Sequence, residues 1–129
     1  MTSGPSTTPV RVLVVDDHPD VRFLVRAILD DAGPELEFAG EAPGARAALE
    51  ALERVDPDVI VLDARMPGID GFEAAAMLLE RRPRTPILLC SAIVDDDVRA
   101  RAREAGIAAC LSKDHFEEIP RVALQLAGR

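Results

Sequence analysis

The chain has no tryptophan and no tyrosine, and only four phenylalanines in 129 residues. It is nonetheless 48% hydrophobic, so its core must be built from aliphatic side chains. It has only two cysteines, Cys90 and Cys110, too few for the disulfide scaffold that holds small secreted domains together. Each lies in an apolar, strand-like run, where a free thiol behaves as a small buried hydrophobe. Both are expected to be free, in keeping with a reducing cytoplasm. Positive charge is scarce: 15 Lys and Arg against 23 Asp and Glu leave a net charge of −8 and a pI near 4.7. That balance gives no footprint for a nucleic-acid backbone and is repelled by an anionic membrane, so direct contact with either is not expected. No apolar run approaches the ~18 residues of a membrane span, and the opening MTSGPSTTP lacks the apolar centre of a signal peptide. These absences leave a cytoplasmic protein with a disordered tail over residues 1–9 and, at this length, one domain over 10–129.

What is present is an alternation. Strand-like runs VRVLVV (10–15), LEFAGE (36–41), DVIVLD (58–63), PILLCSA (86–92) and IAACLSK (107–113) are separated by helical periodicities. Val21, Leu24, Val25 and Ile28 fall at i, i+3, i+4, i+7, as do Ala45, Ala48, Leu49 and Leu52, and again Phe72, Ala75, Ala76 and Leu79, one apolar face apiece. A fourth helix opens on Asp95, Asp96 and Asp97 and then carries Arg99, Arg101 and Arg103, so its charges run with the helix dipole. A fifth begins near His115, tolerates Pro120 only in its first turn, and ends at Gly128. The runs VIVL and ILLC are continuously apolar, as in strands buried on both faces. The pattern therefore predicts an α/β fold, a doubly wound sheet of five parallel strands.

Such sheets place their ligands outside the carboxyl ends of the strands. Asp16 and Asp17 end the first strand, Asp63 the third, Ser91 the fourth and Lys113 the fifth. Carboxylates brought to ~4 Å repel by about 4 kcal/mol per pair at an effective dielectric near 20, so three of them call for a divalent cation. Oxygen-only ligands favour a hard ion, Mg²⁺ or Mn²⁺, over zinc. A single strand-terminal Asp is more often a helix cap, and Asp17 before HPD is open to that reading. Three acids, a hydroxyl and a lysine from four strand ends are much harder to obtain by chance. His18 and His115 read as surface residues beside the site, since neither has a ligand-spaced partner, and Met66 and Met77 as packing.

VVDDHPDVR, VLDARMPGIDGFE, CSA and LSK, in this order, resemble the acidic pair, acceptor loop, hydroxyl strand end and lysine of the response regulator receiver domain of two-component signalling. The resemblance runs from Val10 to about Leu126. It implies a flavodoxin-like (βα)5 fold with strand order 2-1-3-4-5. It implies that Asp63 accepts a phosphoryl group from a sensor histidine kinase, and that Asp17 and Asp63 ligate Mg²⁺ (or Mn²⁺) with the backbone carbonyl of Arg65. Asp16 would support the ion through water, and Ser91 and Lys113 would contact the phosphoryl oxygens. It implies further a conformational switch controlling an output, a homodimer formed on phosphorylation, and no enzymatic activity beyond the domain's own phosphorylation and dephosphorylation. The chemistry agrees, since an ionised carboxylate is a competent nucleophile towards phosphorus, and a cation and a lysine stabilise charge on the equatorial oxygens.

RMPGIDG and SKD look most like receivers joined to a DNA-binding helix-turn-helix output domain, which is missing from this chain; it is either a stand-alone receiver or a fragment. In RMPGIDG, Pro67, Gly68 and Gly71 suit a tight turn. Two positions depart from the family: Cys110 stands where a switching aromatic is usual, and Asp114 follows Lys113 in place of the common proline, so no cis peptide is implied there. A flavin mononucleotide binder of flavodoxin type shares the architecture, but DDHPD after the first strand would repel phosphate. An aspartyl phosphohydrolase would need a second Asp where Arg65 stands.

Overall fold

The structure, a computed structural model, describes residues 8–129. Of the tail expected over 1–9, only Thr8 and Pro9 are therefore described, and the remainder lies outside the described residues. Five strands, β1 (Val10–Val15), β2 (Leu36–Ala42), β3 (Val59–Asp63), β4 (Ile87–Ser91) and β5 (Ala109–Ser112), alternate with α1 (Pro19–Asp31), α2 (Ala45–Ala51), α3 (Gly71–Arg81), α4 (Asp96–Glu104) and α5 (Ile119–Leu126). All four pairings are parallel and the order is β2-β1-β3-β4-β5, so β1 and β3 flank the point where the winding reverses.

Side chains alternate across the sheet and make two aliphatic cores. Val10, Val12, Val14, Val59, Val61 and Leu88 pack with Val25 and Leu29 of α1 and Ile119 and Ala123 of α5. Leu13, Val15, Ile60, Leu62, Ile87 and Leu89 pack with alanines of α2 and α3, Leu52, Leu78, and Ala102 of α4. The strands read as continuously apolar because each face meets a different helix layer.

The helices sit where their periodicity placed them, but two faces are rotated. In α1, Leu24 is 46% exposed while Leu29 is buried. In α3, Ala74, Ala75 and Leu78 are buried and Ala76 is exposed. Periodicity locates an apolar stripe, but which part of it makes the closest contact is decided by how the helix packs against the sheet. Asp70 and Asp95 cap α3 and α4, each accepting from the backbone N–H three residues on at 2.9 Å. Pro120 lies in the first turn of α5, as its missing N–H requires. Between β5 and α5 the chain makes a 3₁₀ turn over Lys113–Glu118, so the last α-helix starts four residues after His115. No cis peptide bond occurs among the described residues, and Lys113–Asp114 is accordingly trans.

Candidate functional site

The five residues expected at one edge of the sheet, from four strand ends, all lie there. Asp16 follows β1 directly; its carboxylate Oδ1 accepts the His18 backbone N–H at 2.9 Å, an Asx turn that swings the chain into α1. Arg22, one turn into α1, clamps this corner: it donates to the Asp16 carbonyl at 2.7 Å and to Glu41 at 2.6 Å. Asp17 caps nothing. The residue before α1 is His18, its side chain makes no capping bond, and Asp17 Oδ1 is buried without a hydrogen-bond donor. The helix-cap reading of Asp17 is thus excluded.

Asp63 is the last residue of β3 and only 2% exposed. Its Oδ1 lies 2.9 Å from Lys113 Nζ and accepts the Arg65 backbone N–H at 3.2 Å, while its Oδ2 is buried with no partner. Lys113 also reaches Asp16 Oδ2, at 3.4 Å. Ser91, 8% exposed, ends β4 one residue past Cys90, which is in register with Asp63. Its Oγ accepts the Ile93 N–H at 3.4 Å.

Burial raises the Asp63 carboxyl above the ordinary carboxylate range, and the Asp16 charge adds to this; the Lys113 hydrogen bond opposes both. Burial by itself would lower the Lys113 ammonium, but its contacts with Asp63 and Asp16 outweigh that and hold it above its usual value. Lys113 is therefore the fixed counter-charge of the acids. Lys113→Met is expected to destabilise the cation-free protein by about 1–3 kcal/mol at neutral pH, less than for a fully dry pair because the amine is partly open to water. Chemical denaturation measures this, and a divalent cation should restore more stability to Lys113→Met than to the parent, since ammonium and ion both supply positive charge to the same acids. Equal stabilisation of the two by cation would show that lysine and ion do not share the acids.

Asp16, Asp17, His18 and Asp63 each offer a ligand atom within 4.8 Å of the others. His18 was expected to lack a ligand-spaced partner. Its Nδ1 in fact lies 3.2 Å from Asp16 Oδ1 and 3.3 Å from Asp17 Oδ1, because the Asx turn folds the ring back over the acids. Arg22 and His18 were legible only as neighbours in DDHPDVR, where no spacing rule singles them out. His115 lies away from the cluster, beside Glu117. The cysteines are free, with Cys90 buried and its thiol pushed up to about 12 by that burial.

The model of the response regulator receiver domain matches residues 12–123. The chain belongs to this family. Among solved structures, the signal receiver domain of the response regulator NarL from Mycobacterium tuberculosis superposes with a TM-score of 0.84 at 39% identity, covering 93% of this chain and 97% of that one. The chemotaxis protein CheY4 of Vibrio cholerae superposes at 0.80 with 30% identity, over 92% of this chain and 98% of that one. Among curated relatives, a protein-glutamate methylesterase/protein-glutamine glutaminase of Rhizobium etli is 37% identical over 83% of this chain, and the response regulator GacA of Pseudomonas viridiflava 33% over 93%. This receiver spans only 31% of the first and 56% of the second. Among its described residues no helix is long and apolar enough to cross a membrane.

Proposed function

We propose that this receiver takes a phosphoryl group onto Asp63 from a sensor histidine kinase and uses it to control an output outside this chain. The observation that carries the assignment is Asp63 itself: a carboxylate 2% exposed at a strand end, with Oδ1 fixed by Lys113 and Arg65 N–H and Oδ2 without a partner. An Asp63 oxygen forms the new bond to phosphorus as the bond from phosphorus to the donor imidazole nitrogen breaks. Lys113 swings its charge onto the phosphoryl oxygens, and the Ser91 hydroxyl donates to another. Two buried carboxylate oxygens without donors, on Asp17 and Asp63, fit a hard divalent cation. Asp17, Asp63 and the Arg65 backbone carbonyl would hold Mg²⁺ or Mn²⁺, with Asp16 behind them, and the ion would supply charge neutralisation for the incoming phosphoryl group.

The output follows from what the new charge meets. Cys110 has no ring to rotate, so the transmitting element is the loop after Ser91 and α4. That helix is pinned to α3 by Arg101, whose guanidinium sits 4.0 Å from the Phe72 ring centre and 3.8 Å from Asp70. Its first turn carries Asp96 and Asp97, which a phosphoryl group repels. The strong net negative charge leaves contact with DNA to a separate output domain, in line with the likeness to the NarL receiver. The test is incubation with a small phosphodonor and Mg²⁺, followed by peptide mapping and hydrogen exchange. One phosphoryl group is expected on the peptide bearing Asp63, with faster exchange over Ala92–Glu104; a label on any other residue rejects the assignment.

A further inference from the structure

We propose that His18 is a nitrogen ligand of the cation held by Asp17 and Asp63, and that it tunes this site towards nitrogen-seeking divalent ions. The inference rests on the cation site proposed above and names the residue that sets its metal preference. Neighbouring ligand atoms on an octahedral ion with bonds near 2.1 Å stand about 3.0 Å apart. His18 Nδ1 stands 3.2 Å and 3.3 Å from one oxygen each of Asp16 and Asp17, close to that spacing.

The contact to Asp17 does not have hydrogen-bond geometry, and Asp17 Oδ1 keeps no donor. Asp63 Oδ2, in a residue 2% exposed, is likewise without a partner, so two oxygens lack a cationic or donor group beside a nitrogen already in ligand position. Two backbone features hold the ring there: the His18 N–H bound to Asp16 Oδ1, and Pro19 opening α1 immediately afterwards. In this structure Nδ1 is the donor to Asp16 Oδ1 at 3.2 Å, but the side chain is 63% exposed, so the ring can move its proton to Nε2 in water and offer the Nδ1 lone pair to a cation that takes the place of that hydrogen. Carboxylates and carbonyls alone suit Mg²⁺, Ca²⁺ and Mn²⁺, whereas an imidazole added to them favours Ni²⁺, Co²⁺ and Zn²⁺.

The experiment is calorimetric titration of the tag-free full chain with Mg²⁺ and with Ni²⁺, and pulsed electron paramagnetic resonance of the Mn²⁺ complex. His18→Asn is expected to lower Ni²⁺ affinity at least about tenfold with Mg²⁺ affinity nearly unchanged, and to abolish the ¹⁴N coupling to bound Mn²⁺. His115→Asn, at the only other histidine, should change neither. Asp17→Asn should weaken both ions, since it removes an oxygen ligand. Equal Ni²⁺ affinity in parent and His18→Asn, or no ¹⁴N coupling in the parent, overturns the role of His18 and leaves the oxygen site standing. If neither ion binds the parent, the cation site itself is wrong, and this inference falls with it.

Discussion

Asp63→Asn is expected to take up no phosphoryl group and, without a divalent cation, to be more stable than the parent at neutral pH. The first result follows because the amide is not a nucleophile towards phosphorus; equal labelling of parent and variant would reject Asp63 as the acceptor. The second follows from the electrostatics. A carboxylate pair at ~4 Å repels by about 4 kcal/mol at an effective dielectric of 20. Lys113 offsets most of this, at 2.9 Å from Asp63 and 3.4 Å from Asp16. The amide keeps the shape and removes the repulsion, for a net gain on the order of 1 kcal/mol, or a few degrees in melting temperature.

The pH dependence has a definite sign. Burial holds the Asp63 carboxyl above its ordinary value of 3.8 in the folded chain, so between 3.8 and the raised value the native state binds more protons than the unfolded state. The parent therefore loses stability from this group as pH rises through that window. The variant lacks this loss, so its advantage should be largest at neutral pH and shrink towards zero below pH 4. An advantage that grew on acidification would contradict the raised carboxyl.

Gly71→Ala is expected to cost about 3 kcal/mol or more, the largest loss of any single methyl addition at the site. A Cβ at Gly71 would lie 2.2 Å from the Asp63 carbonyl oxygen and 2.8 Å from Ala64 Cα. These are backbone atoms at the end of β3, which cannot rotate away. The Gly71 N–H also donates to the Ala64 carbonyl at 3.0 Å, closing the loop from Asp63 to α3. The methyl must therefore drive α3 off the end of β3 and tilt Asp63 with it. Slower phosphoryl uptake per folded molecule should accompany the lost stability. Gly68, in the same loop, is different: its φ is +81° and nothing lies within 4 Å of the added Cβ. Gly68→Ala meets only the left-handed backbone cost of roughly 1–2 kcal/mol. Denaturation curves compare the two; a smaller loss at Gly71 than at Gly68 would mean that α3 can yield.

Both glycines read in the sequence as turn residues. Only Gly68 is one. Gly71 is required because a helix start is pressed against a strand end, a contact that no local motif encodes. Arg22 is of the same kind, since its place beside the acids depends on Glu41, which arrives from β2. His18 is placed locally, by the Asx turn at Asp16, but a scan for ligand spacing along the chain passes over such a turn.

The sequence by itself determined the sheet, the alternation of its helices and which residues end its strands, because period-2 and period-3.6 burial are properties of neighbouring residues. It also placed Asp16, Asp17, Asp63, Ser91 and Lys113 at one edge, because parallel strands all end on the same side. Tertiary structure alone decided which helix faces are buried, why Gly71 must lack a side chain, and that Asp63 shares one cluster with Asp16, Asp17 and His18. Those features are distances between segments remote in sequence, or rotations set by what packs opposite. They exist only once the five strand ends stand side by side.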